Sequence, residues 1–90
     1  MPYKIENIAT ETWHRIRTDL QAAGFTVIAE YEGMDAGVDY NRYELINLVD
    51  QERVIFEWDN WSEGEIKALS TRLAALREKY RLSKLVEIEE

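Results

Sequence analysis

Carboxylates and tryptophans crowd into one stretch, Trp58-Asp59-Asn60-Trp61-Ser62-Glu63-Gly64-Glu65. Two tryptophans among acids suit a recognition surface, because aromatic side chains anchor many protein interfaces. Local structure offers a second explanation for most of the segment. Ser62 followed by Glu65 reads as the capping box of a helix, with Trp61 and Ile66 as its hydrophobic staple. Glu63 and Glu65 would then sit favourably at the positive end of that helix. Gly64 fits less well, since glycine weakens a first helical turn; its use would be to let another backbone come close. The same carboxylates oppose an anion site at this helix end.

Glu30, Glu32, Asp35, Asp39 and Asn41 make a second oxygen-rich run. A hard cation such as calcium wants about six to eight oxygens, and the spacing here is not that of a calcium-binding loop. The run reads as a solvated acidic loop suited to a basic protein surface. His14 is the single imidazole. Acid–base work needs a second positioned group, and nothing forces Glu11 to serve, so His14 reads as a surface residue of an amphipathic helix. The serines sit in no nucleophile elbow. No glycine-rich phosphate loop is present. Asn60-Trp61-Ser62 matches a glycosylation sequon, read here as chance. With eighteen acids in ninety residues, close carboxylate pairs arise without purpose, and a chain this short has little room for a substrate pocket. The expectation is a non-enzymatic protein without cofactor or metal.

The absence of cysteine excludes disulfides, thiolate metal sites and cysteine nucleophiles. Ninety residues set the scale of one domain, with a core of two layers at most. A composition 46% hydrophobic and 32% charged is that of a folded globule. No apolar run reaches the roughly 18 residues of a membrane helix. The N-terminal MPYKIENIATE lacks the apolar stretch of a secretory signal, so a cytoplasmic setting is expected.

The net charge of −7 is concentrated. Residues 1–23 carry three acids and three bases, residues 62–90 six of each, and residues 24–61 nine acids against two bases. Such a field repels phosphate backbones and favours a basic partner, or serves solubility alone. The bases Lys67, Arg72, Arg77, Lys79, Arg81 and Lys84 are interspersed with Glu63, Glu65, Glu78 and Glu87, so neither nucleic acid nor membrane is expected to bind.

These residues need elements to position them. Ala9, Trp13, Ile16, Leu20 and Ala23 make an apolar stripe that predicts a helix over 8–23, capped by Asn7 or Thr10 and ended by Gly24. Alternation predicts strands over 25–31, 40–48 and 53–58, with a loop at 32–39 and a tight turn at 49–52. Ile66, Leu69, Leu73, Leu76 and Tyr80 predict a second helix over 63–80. The tail, 81–90, fits either a helical turn or a short edge strand.

The expected architecture is α+β: a two-layer αβββα domain over residues 1–90, a three-stranded antiparallel meander with both helices on one face. Ile28 and Ile55 would be left on the outer sheet face, to be covered by the tail or by a second copy. Two functions follow. The first is a protein-binding module that meets a basic partner through region 30–61, with Glu30, Glu32, Asp35, Asp39, Glu57, Asp59 and Trp61 in contact. The alternative is a homodimeric structural domain that self-associates through Ile28 and Ile55, its charge serving solubility.

Overall fold

The computed structural model describes residues 3–35 and 38–88, with the backbone alone described at residues 34, 35 and 38. In chain order the elements are β1 (Tyr3–Ile8), α1 (Thr10–Ala22), β2 (Phe25–Asp35), β3 (Val38–Asn47), β4 (Arg53–Asp59), β5 (Glu63–Ala68), α2 (Ser70–Tyr80) and β6 (Val86–Glu87). The chain is α+β, as expected. The three-stranded αβββα layout is corrected: the strands form one six-stranded antiparallel sheet in the order β2-β3-β4-β5-β1-β6.

Each extra strand has a local reason. In β1, Tyr3 and Ile5 alternate with Lys4 and Glu6, a strand pattern too short to stand out beside the helical stripe that follows. The helix expected over 8–23 therefore starts only at Thr10. The helix expected over 63–80 starts only at Ser70. Residues 63–68 instead form β5, which sends Gly64, Ile66 and Ala68 to the core and Glu65 and Lys67 outward. Pairing with β4 on one side and β1 on the other overrides the helical spacing that begins at Ile66. The capping box and staple at Ser62 fall with it. The expected loop 32–39 is mostly strand: β2 and β3 stay paired out to Asp35↔Val38, while residues 36 and 37 lie outside the described residues. The tail adds beside β1, Tyr3 opposite Glu87 and Lys4 opposite Val86, rather than crossing the outer face.

Both helices pack on one face over a single core. Trp13, Ile16 and Leu20 of α1 and Leu73 and Leu76 of α2 meet Ile5, Tyr43, Leu45, Val54, Phe56 and Ile66 of the sheet. Each large side chain so removed from water contributes about 1.5–3 kcal/mol. Trp13 is the hinge of this packing. Its ring lies directly over Gly64, where a Cβ would come within 2.4 Å, and its Nε1 donates to the Glu65 carbonyl at 3.2 Å. Gly64 thus admits a side chain, the indole, rather than a backbone. The Tyr80 hydroxyl donates to Asp19 and ties the two helices together. Gly24, at φ +112°, ends α1 as expected. At the other end of α1 neither Asn7 nor Thr10 caps. Residue 9 is alanine, with no capping side chain, and Glu63 supplies the missing acceptor: its Oε2 takes the Thr10 N–H at 2.9 Å and the Thr10 hydroxyl at 3.1 Å. Thr10 in turn accepts from Trp58 Nε1 at 2.9 Å.

Candidate functional site

The outer sheet face neutralises its own charges. Lys4 meets Glu65 at 2.9 Å and Glu6 at 3.3 Å, and Lys67 meets Glu57 at 2.6 Å. Arg53 and Arg42 flank Glu44 at 3.6 and 3.9 Å. The Tyr40 hydroxyl donates to the second oxygen of Glu57 at 2.6 Å. Burial pushes the Glu57 carboxyl up, but the hydrogen bonds from Lys67 and Tyr40 outweigh it and hold the group below its ordinary 4.5. Burial and the same bond push the Tyr40 phenol up to about 12. Ile55 lies in this lattice, with Glu44 and Lys67 as its cross-strand neighbours, and Ile46 is buried beside it. The outer face therefore carries its own polar cover.

Of the nine acids in residues 24–61, Glu44, Glu52 and Glu57 thus have cationic partners, Glu52 through a two-point bond to Arg72 at 2.6 and 3.0 Å. Of the remaining acids, Asp50 lies in the β3–β4 turn, Glu30 and Glu32 follow one edge, and Asp35, Asp39 and Asp59 fall at the other end of the sheet. At that end, the β2–β3 hairpin and the β4–β5 turn lie side by side. Tyr40 pairs with Asp59, and the Asp39 N–H donates to Asn60 Oδ1 at 3.0 Å. Asp59 holds the turn by accepting the Trp61 and Ser62 N–H groups at 2.8 and 2.6 Å. This pushes Trp61 into solvent, 79% exposed. Glu63 closes the turn with φ 58°.

The residues expected to bind a partner are accordingly divided. Asp39, Asp59 and Trp61 come together at the acidic end. The backbone of Asp35 is on the hairpin that reaches it, and its side chain lies outside what is described. Glu30 and Glu32 lie along β2 on the helix side of the sheet, beside Tyr43. Glu32 accepts the Tyr43 hydroxyl, whose pKa is raised by burial and by this bond. Arg17 stacks on the Tyr43 ring, 3.9 Å from its centre. Glu57 is ion-paired on the outer face and borders the acidic end, two positions before Asp59 in β4 and bonded to Tyr40. Ile28 sits at a β-bulge in β2 and is 45% exposed, two strands away from Ile55. Sequence reasoning missed Glu63, taken for a first-turn residue of its own helix. The signal was Ala9, a helix start lacking a capping side chain.

A small recess at the acidic end, about 100 Å³, is lined by Glu6, Glu57, Asp59, Glu63 and Glu65 among others. Among the described residues no group of three or more histidine, aspartate and glutamate side chains is placed to hold a metal ion. Among them, too, no helix is long and apolar enough to cross a membrane. No protein-family model matches the chain, and neither a curated protein nor a solved structure matches it.

Proposed function

We propose that this chain is a non-enzymatic protein-binding module that engages a basic partner through the acidic end of its sheet. The observation that carries the reading is Trp61, 79% exposed on a turn held by Asp59 and beside Asp39. A large exposed aromatic side chain on a turn that also carries carboxylates suits an interface anchor with charge steering around it. The outer-face acids Glu44, Glu57 and Glu65 have cations, whereas Asp39 and Asp59, beside the aromatic, form no ion pair among the described residues. The same field disfavours nucleic acid and anionic membranes. A cysteine-free chain needs no oxidising compartment, which supports a cytoplasmic setting.

The test is capture of partners from the native lysate at low and high salt, with the parent, Trp61→Ala and Asp39→Lys chains. One basic protein should be retained by the parent at low salt, weakened at high salt and lost with either variant. Recovery of only a second copy of this chain, equally at both salts, would overturn the reading in favour of self-association. Exposure of Ile28 on the outermost strand supports that second reading, whereas Ile55 lies within ion pairs. Ile28→Lys would then convert a dimer to a monomer.

A further inference from the structure

We infer that the open edge of β2 is a strand-addition site for an extended basic segment of the partner. This rests on the reading above that the partner is basic, and it names how that partner is held. β2 spans eleven residues and bonds to β3 on one side; among the described residues no strand covers its other side. In an antiparallel edge strand, alternate residues turn their N–H and C=O groups outward. Edges are usually blunted by shortness, charged side chains, proline or a bulge. The opposite edge is blunted in this way, since β6 has only two residues. β2 has a bulge at Ile28 and carries carboxylates, but beyond the bulge, from Ala29 to Asp35, it has no lysine, arginine or proline, so its charge deters an acidic strand and not a basic one.

Side chains on the two faces of this edge specify the added strand. Beyond the bulge at Ile28, β2 pairs without a break from Ala29↔Glu44 to Asp35↔Val38. On the helix side it presents Glu30 and Glu32, two positions apart, both exposed. Arg17, which shares a recess with them, is turned onto Tyr43. On the outer side Tyr31 is 51% exposed, lies across Gly33 and stands 5.9 Å from the Tyr40 ring. An incoming strand with lysine or arginine at alternate positions meets the carboxylates on one face, and its intervening apolar side chains meet the aromatic on the other. A second copy fits poorly: any two-fold antiparallel register over these residues sets Glu30 and Glu32 opposite or diagonal to their own counterparts, which repel.

The probe is a peptide alternating lysine and valine. Its control has the same sequence with alternate backbone nitrogens methylated, so that charge is kept and strand pairing lost. Affinity and amide hydrogen exchange are measured on the full chain. The unmethylated peptide should bind at least about tenfold more tightly and slow exchange in β2 rather than in the Trp61 turn. Equal affinity for both peptides would overturn strand addition while leaving the basic-partner reading standing. Binding of neither would overturn both, and β2 protection that rises with protein concentration alone would identify a second copy as the occupant.

Discussion

A methyl group added at residue 64 has nowhere to go, because the Trp13 ring fills the space. Gly64→Ala should destabilise the fold by about 1–3 kcal/mol, the range for overpacking a core, read as a lower denaturation midpoint with altered tryptophan fluorescence. Glu63→Ala should cost about 1 kcal/mol, as loss of a helix cap does; in a Thr10→Ala background the further loss should be smaller if the two side chains act together. Tyr40 and Tyr80, each pushed up to about 12 by burial and a carboxylate partner, give a test at high pH. A raised phenol contributes stability that is complete below its ordinary value of about 10 and is lost as pH rises through about 12. Tyrosinate absorbance should therefore show late-titrating phenols, one of them removed by Tyr40→Phe and another by Tyr80→Phe. A single common transition near 10 would refute the assignment. At this scale the sequence was only partly legible. Gly64 is the residue a helix over 63–80 leaves unexplained, and its reason, a ring from another element, is a contact no local pattern contains.

The two described turns that close β3–β4 and β4–β5 share one construction. Asn47 Oδ1 accepts the Val49 N–H at 2.9 Å, and four residues after Asn47 comes Gln51 with φ 66°. Asp59 plays the same part before Trp61, and four residues after it comes Glu63 with φ 58°. Short acceptor side chains make such turns, but the left-handed residue is not glycine in either. Gln51→Gly should therefore stabilise the hairpin by about 0.5–1 kcal/mol, the relieved backbone cost less the added freedom of the unfolded chain, seen as a higher urea midpoint at unchanged slope. Glu63 does not invite that change, because its carboxylate caps α1. The strands flanking these turns were legible where alternation was uninterrupted, as in β4 with Val54, Phe56 and Trp58. Alternation in β5 was hidden because glycine and alanine occupy two of its three inward positions, leaving Ile66 alone to speak for the strand. The β2–β3 extension was hidden for a similar reason: Gly33, Asp35 and Asp39 read as loop residues, and only mutual pairing makes them strand.

For the molecule as a whole, the segment with net −7 is divided between acids that the fold neutralises and acids that it leaves to solvent. Glu57 belongs to the first group, and its lowered pKa makes it part of the response to acid. A depressed carboxyl contributes stability present above its ordinary 4.5 and lost as pH falls through the folded value. Glu57→Gln should thus lower stability at neutral pH and flatten the decline below about pH 4.5, measured as urea midpoints across that range; an unchanged acid limb would remove Glu57 from the account. The charge concentration itself was fully legible. Its partition was not, because Lys67 and Arg72, which pair with Glu57 and Glu52, come from outside that segment. The strand order also has a consequence in time. β2 to β5 are joined by successive hairpins, so their contacts close short loops, whereas β1 enters only when residue 3 finds residue 68. Chain-entropy arguments make such distant closures slow. The four-stranded ribbon should therefore order first and β1, with β6 on it, dock later, so that Ile5→Val accelerates unfolding with little effect on the folding rate, while Val54→Ala slows folding.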